Sequence, residues 1–183
     1  MPDEQIDIYN EKGEIIGQGG KRESHFNASW HKVAHVWIYN SKGQILMQQR
    51  TVGNIYYSGL WDISAGGHVG VGEDLDISAA RELEEEIGIS VKGEELDKYK
   101  QIKLDCFQRE NNYKNREFVQ LYFLKYDCDI NELQLQESEV QAVKWIDLDT
   151  FIHELKDAKT KDLYVQHGDD YFNVVIGRLK ELI

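Results

Sequence analysis

The segment GHVGVGEDLDISAARELEEEIGI, Gly67 to Ile89, holds carboxylates whose types and spacing suit metal-assisted phosphate chemistry. Glu82, Glu85 and Glu86 stand at i, i+3 and i+4, so on a helix they share one stripe. Ala79, Ala80, Leu83 and Ile87 form the adjoining apolar stripe, which predicts an amphipathic helix from Leu75 to Ile87 lying on a sheet. Like charges at this spacing repel one another, and partial burial sharpens the repulsion, so the stripe calls for a cation. Oxygen-only donors with no cysteine among them suit Mg²⁺, or Mn²⁺, and Mg²⁺ characteristically bridges a few carboxylates and substrate phosphate oxygens. Such an ion polarises phosphorus and helps to make hydroxide from water. Gly88 has the left-handed freedom to end the helix. Gly66, Gly67, Gly70 and Gly72 let the preceding loop bend close to a metal or phosphate. Glu84 faces solvent on the same helical wheel.

Gly67, Glu73 and the run Arg81-Glu82-Leu83-Glu84-Glu85-Glu86-Ile87-Gly88-Ile89 together resemble a complete Nudix box, with each defining position occupied. The resemblance spans about Lys32 to Leu155 and implies a Nudix α/β/α sandwich. It further implies that Glu73 pairs with Arg81 to brace the loop on the helix, and that the Gly67 carbonyl joins Glu82, Glu85 and Glu86 around the metal. The activity implied is Mg²⁺-dependent hydrolysis of a diphosphate linkage in a nucleoside diphosphate joined to a group X, or in a related small molecule. Glu86 ranks first as general base, with Glu117, Glu137 and Glu139 remaining open.

A second resemblance runs from His31 to Ile89, where HKVAHVWIYNSKGQ and GLWDISAGGH are similar to isopentenyl diphosphate isomerase. His31 and His68 match histidines that hold a metal in that isomerase, His25 lies nearby at a different spacing, and Glu117 matches a strand carboxylate. The isomerase's catalytic cysteine is replaced by Gly66, and its box is usually degenerate whereas this one is complete. Hydrolysis is therefore the primary reading, with the isomerase and a catalytically inactive nucleotide-binding regulator as alternatives. Under hydrolysis the histidines become shared scaffold or substrate contacts rather than a second metal site. His68, Glu117 and Arg50, whose planar fork suits phosphate oxygens, are the expected substrate contacts. Trp37, Tyr56, Tyr57 and Trp61 are either core aromatics or a stacking surface.

These residues need a sheet to carry them. The chain has 183 residues and 41% hydrophobic content, enough for one good core. Ile6–Asn10 and Glu14–Gln18 read as a hairpin around Glu11-Lys12-Gly13. Val33–Asn40 and Gln44–Arg50 repeat the design around Ser41-Lys42-Gly43. Further strands are expected at Trp61–Ser64, Tyr99–Phe107, Phe118–Tyr126 and Val140–Asp147, with a polar loop at Arg109–Arg116. Helices are expected at Asp147–Lys156 and Asp170–Ile183. Residues 1–30 thus read as an N-terminal hairpin arm, a candidate homodimer contact, and 31–183 as the Nudix domain with its C-terminal helices. A net charge of −12 disfavours nucleic-acid polymers and anionic membranes but not a small phosphorylated substrate. The chain lacks a bilayer-length apolar run or leader pattern, and Cys106 and Cys128 have no CxxC frame, so a cytoplasmic protein with reduced thiols is expected.

Overall fold

The computed structural model describes residues 3–53, 56–108 and 113–183. The N-terminal hairpin pairs β1 (Gln5–Tyr9) with β2 (Ile15–Gly20) as a separate two-stranded antiparallel sheet. Its turn is the same device as the turn between β3 (His31–Tyr39) and β4 (Gln44–Arg50). Asn10 Oδ1 accepts from the Lys12 and Glu14 amides, and Asn40 Oδ1 accepts from the Lys42 and Gln44 amides. Gly13 and Gly43 take φ of +83° and +79°, the left-handed conformation these turns require. The sequence likeness of the two hairpins therefore has a local chemical cause.

Seven strands form the main sheet. Its central path runs β5 (Trp61–Asp62), β4, β3, β8 (Tyr113–Lys125), β7 (Asp97–Gln108), with β6 (Ala65–His68) on β3 and β9 (Val140–Asp147) on β4. β3 and β8 are parallel with His31 opposite Glu117, and β6 is antiparallel to β3 with His68 opposite Val33. Alternation along β3 divides two cores. Ala34, Val36 and Ile38 face α2 (Leu75–Ile87), packing with Ala79, Leu83 and Ile87. Val33, Trp37 and Tyr39 face the opposite way, toward Phe151 of α3 (Leu148–Glu154) and Tyr171, Val175 and Leu179 of α4 (Asp169–Leu182). The architecture is the expected α/β/α sandwich with an N-terminal hairpin.

Three expectations need correction. The strand foreseen at Trp61–Ser64 is only β5, and a second strand, β6, follows at Ala65–His68, where Gly66 and Gly67 were expected in a loop. Between them the Ser64 side chain takes over ladder bonding: Oγ accepts from the Ile38 amide at 2.8 Å and donates to the Leu46 carbonyl at 2.6 Å. The loop foreseen at Arg109–Arg116 is shorter, because β8 already begins at Tyr113; positions 109–112 lie outside the described residues. Finally, a short helix, α1 (Lys21–Asn27), was not foreseen; its Gly20 N-cap makes no side-chain bond, and KRESHFN carries no apolar stripe. Asp147–Lys156 and Asp170–Ile183 are helical as expected, within two residues at each end.

No helix among the described residues is long and apolar enough to cross a membrane. Cys106 and Cys128 are free and half-buried. Ser64 is fully buried, so Ser64→Ala leaves one amide and one carbonyl unpaired inside the sheet. The expected loss is about 2–4 kcal/mol, read as a lower urea midpoint with an unchanged slope.

Candidate active site

Asp74 caps α2 through its Oδ1, which accepts from the Asp76 and Ile77 amides, and Gly88 ends the helix at φ +75°. The buried face comprises Ser78, Ala79, Glu82, Leu83, Glu86 and Ile87. Ala80, placed in the apolar stripe from sequence, is only half-buried, and Ile77 is exposed. The acidic stripe is divided. Glu82 and Glu86 are 8% and 3% exposed, whereas Glu85 stands at the solvent rim with Glu84.

The wall opposite the two buried carboxylates is β6. A Cβ on Gly67 would overlap the Glu82 carboxylate, so only glycine lets Glu82 lie flat on the strand backbone. Glu86 Oε2 accepts from the Gly66 amide at 3.0 Å and from Gln48 Nε2 at 3.3 Å. Burial pushes the Glu82 acid up to about 7 against the pull of Arg81, and pushes Glu86 well above the ordinary range, with Glu82 adding to the shift. Two carboxylates so placed favour any cation that can enter.

Arg81 organises the rest. Its Nε and Nη2 donate to the two Glu73 oxygens at 2.9 and 3.0 Å, Nη1 donates to Glu82 at 2.7 Å and Glu85 at 3.1 Å, and Nη2 also reaches the His68 carbonyl at 3.1 Å. Glu73 also accepts from the Gly70 amide, and the Arg81 hydrogen bonds chiefly hold its acid down to about 2. The geometry thus contains the Glu73–Arg81 pair anticipated from the family resemblance. It does not draw Glu82, Glu85 and Glu86 to one point, because Arg81 engages the first two and Glu86 turns to Gly66.

Arg50 is partly exposed; it donates to the Tyr56 carbonyl and to Asp62, whose carboxyl also meets His167 Nε2 at 2.7 Å. Despite its burial, Asp62 is held far below the ordinary range by His167 and Arg50. His35 Nδ1 lies 2.9 Å from the Tyr171 hydroxyl, which also accepts from Trp37 Nε1. Trp37 is therefore core, as is most of Trp61, which packs against the same cluster. Sequence reasoning missed Asp62, His35, His167, Tyr171 and Gln48. Gln48 had a signal, a polar residue on the buried strand ILMQQR. The network from Asp62 to Tyr171 had none, because it joins β3, β5 and the chain's far end.

His25, His31, His68 and Glu117 converge in the opposite core layer. Burial pushes His25 down to about 4 and His68 well below the usual imidazole range, so both rings are neutral near pH 7. Glu139 and Glu137 are exposed, Glu139 near enough to raise Glu86 further. The N-terminal hairpin also reaches the site: Asp7 Oδ2 accepts from the Gly72 amide at 2.9 Å, pinning the glycine loop.

A NUDIX domain model matches residues 29–167. The chain belongs to the Nudix family. Nudix hydrolase 3 of Arabidopsis thaliana is 30% identical over the whole chain, which spans about a quarter of that protein, 24%. An uncharacterized Nudix hydrolase of Clostridium acetobutylicum, CA_C0446, is 27% identical and matched end to end, over 99% of each chain. Among solved structures, DR0079 from Deinococcus radiodurans superposes with a TM-score of 0.70 at 21% identity, covering 96% of this chain and 99% of that one, a likeness of fold. Nudix membership makes a hydrolase of the Nudix type the enzyme class of this chain.

Two expectations follow from this geometry. Gly67→Ala should displace the Glu82 carboxylate and weaken divalent-ion binding about 10- to 100-fold, measured by titration calorimetry with Mn²⁺, with helix content unchanged by circular dichroism. Glu73 has a folded acid constant near 2, below its ordinary value of about 4.3. Its contribution is therefore full above pH of about 4.3 and is lost as pH falls through 2. Glu73→Gln should remove about 1.5–3 kcal/mol at pH 7, and the two proteins should converge in urea stability at the acid end.

Proposed function

We propose that this chain hydrolyses a diphosphate linkage in a nucleoside diphosphate derivative or a related small phosphorylated molecule, with a divalent metal. The observation that carries the reading is the burial of Glu82 and Glu86 against the glycine strand Gly66–Gly67, with Arg81 engaging only the first. All donors there are oxygens, which fits Mg²⁺ or Mn²⁺. Glu82, Glu85 and Glu86, with the Gly67 carbonyl, would hold the ion. When bound, it supplies charge neutralisation on the phosphate oxygens and acidifies water.

The chain's own groups do the remaining work. Glu86 takes a proton from the attacking water. The new P–O bond forms as the bridging P–O bond breaks, and two phosphorylated products leave. Glu73 fixes Arg81, and Arg81 fixes the Glu82 carboxylate and the His68 carbonyl, so the helix and loop meet the substrate in one register. Arg50, partly exposed and oriented by Asp62, offers a fork to a second phosphate. The substrate enters from solvent; a polyanionic polymer is not the partner, given the charge of −12.

An isomerase would need a thiol at Gly66. A Cβ there would lie 2.7 Å from the Ala34 carbonyl oxygen and 2.7 Å from Ile63 Cδ1, so packing as well as sequence argues against that reading. An inactive regulator would not need a full set of carboxylates.

The test is product identification after incubation with Mg²⁺ and nucleoside di- and triphosphates, dinucleotides, nucleotide sugars, coenzyme A and isoprenoid diphosphates. One class should be cleaved, and Glu86→Gln should lower its turnover about 10²- to 10⁴-fold. Metal-dependent binding without cleavage of any class would replace the hydrolase with the regulator. Deuterium exchange into isopentenyl diphosphate would replace it with the isomerase.

A further inference from the structure

Arg50 ends β4, two residues after Gln48, whose side chain holds Glu86. Its main chain is fixed on both sides. The Arg50 amide donates to the Leu60 carbonyl at 2.9 Å, and the Gly59 amide donates to the Arg50 carbonyl at 3.1 Å. The pairing of β4 with β9 slips by one residue at this point, with Gln49 opposite Ala142 and Arg50 opposite Val140. A bulge of this kind bends the ladder and re-aims the side chains beside it.

Behind Arg50 a line of fixed partners runs inward. The Arg50 side chain is 30% exposed, that of Asp62 7% and that of His167 12%. Arg50 Nη1 donates to Asp62 Oδ2 at 3.4 Å, while Asp62 Oδ1 accepts from His167 Nε2 at 2.7 Å and from the Ile63 amide at 2.8 Å. The ionised carboxylate only accepts, so Nε2 carries the ring hydrogen of His167. That ring is itself held. It lies over Tyr171 with centroids 4.6 Å apart and planes at 30°, and it meets His35 and Phe172 edge-on at 5.3 and 5.9 Å. The Tyr171 hydroxyl is fixed in turn by Trp37 Nε1 at 3.0 Å and His35 Nδ1 at 2.9 Å. The backbone delivers His167 by extending the sheet. Trp61 and Tyr164 form a parallel bridge, the Val165 amide donates to the Trp61 carbonyl at 2.9 Å, and Gly168, at φ +96°, turns the chain into α4.

An exposed ion pair contributes little to stability, and it needs no such backing. A buried, fully bonded carboxylate behind a partly exposed cation has a different effect, since it sets the direction of the guanidinium before any anion arrives. We propose that Asp62 and His167 are positioning residues that aim Arg50 at a phosphate of the substrate, so that the segment carrying His167 belongs to the substrate site. This rests on the reading of Arg50 as the clamp for a second phosphate. The ligand class is a diphosphate with the metal on one phosphate and the planar fork on the other. Asp62 meets Arg50 through one long contact and keeps two shorter ones of its own, so a phosphate can recruit the guanidinium without unseating the carboxylate.

The probe is methylenediphosphonate, whose P–C–P bridge resists hydrolysis, titrated calorimetrically into the full chain loaded with Mn²⁺. The wild type should bind it. Arg50→Ala, Asp62→Asn and His167→Ala should each weaken it about 10- to 100-fold, with the titration of Mn²⁺ alone unchanged. Adding Asp62→Asn to Arg50→Ala should cost little more, because both remove one interaction. His167→Gln, whose amide can still donate to Asp62, should recover part of the loss seen in His167→Ala. For a substrate class that is cleaved, Asp62→Asn should raise KM more than it lowers kcat. Wild-type affinity in Asp62→Asn, or a loss that adds in full to that of Arg50→Ala, would overturn the proposal. So would a wild type that does not bind the diphosphonate. Should Asp62→Asn fail to fold, the two His167 variants carry the same comparison with Arg50→Ala. The titration needs no turnover, so a chain that shows this pattern of binding yet cleaves nothing would end the hydrolase reading and support the positioning role.

Discussion

One guanidinium holds α2, the glycine loop and the edge of the sheet in register. Arg81 donates to Glu73, Glu82 and Glu85 and to the His68 carbonyl, so each of its nitrogens is engaged. The planar fork of arginine is what permits this, since a lysine would present a point charge with freely rotating donors. Without such a cation, Glu82 could not remain beside Glu86 in a setting that burial has already made hostile to negative charge. Because Arg81 is already shared among three carboxylates, Glu86 gains no relief from it and keeps its high proton affinity. Structural bracing and the raised proton affinity of Glu86 are in this sense two results of one allocation of charge.

β6 is the thinnest part of the arrangement and carries much of it. Across four residues it offers Glu86 an amide at Gly66, makes room for Glu82 at Gly67, and at His68 sends a ring into the opposite layer. Alternation along a strand sends successive side chains to opposite faces, so a single pleat separates an oxygen-rich surface from a nitrogen-rich one. Ser64, which replaces ladder bonding between β3 and β4, allows the chain to leave β5 and enter β6 with the right phase. The N-terminal hairpin adds support from outside, through Asp7 at Gly72 and a small apolar cluster of Tyr9, Trp30 and Phe118.

Much of this was legible in sequence wherever the signal is periodic and local. The helix from Leu75 to Ile87 follows from its apolar spacing and from Gly88, and the two hairpins follow from paired Asn and Gly turns. The resemblance to the Nudix box then placed Glu73 against Arg81, a pair eight residues apart that no local rule would join. What sequence concealed depends on long-range pairing. The split between β5 and β6 needs the neighbouring strands, α1 lacks both a cap and an apolar stripe, and Asp62 meets His167 across 105 positions. The isomerase resemblance groups His31, His68 and Glu117 with His25 nearby, but their placing depends on the parallel register of β3 and β8, which sets Glu117 directly opposite His31.

The crowding at Gly66 bears on which chemistry this scaffold can carry. A side chain there meets the backbone oxygen of Ala34 and the tip of Ile63, one of which can yield while the other is fixed in the central strand. A thiol therefore cannot be introduced at this position by substitution alone, because its Cβ needs β6 to move away from β3. That movement would draw the Gly66 amide from the Glu86 carboxylate. The same closeness that gives Glu86 its backbone partner excludes a side chain from the strand.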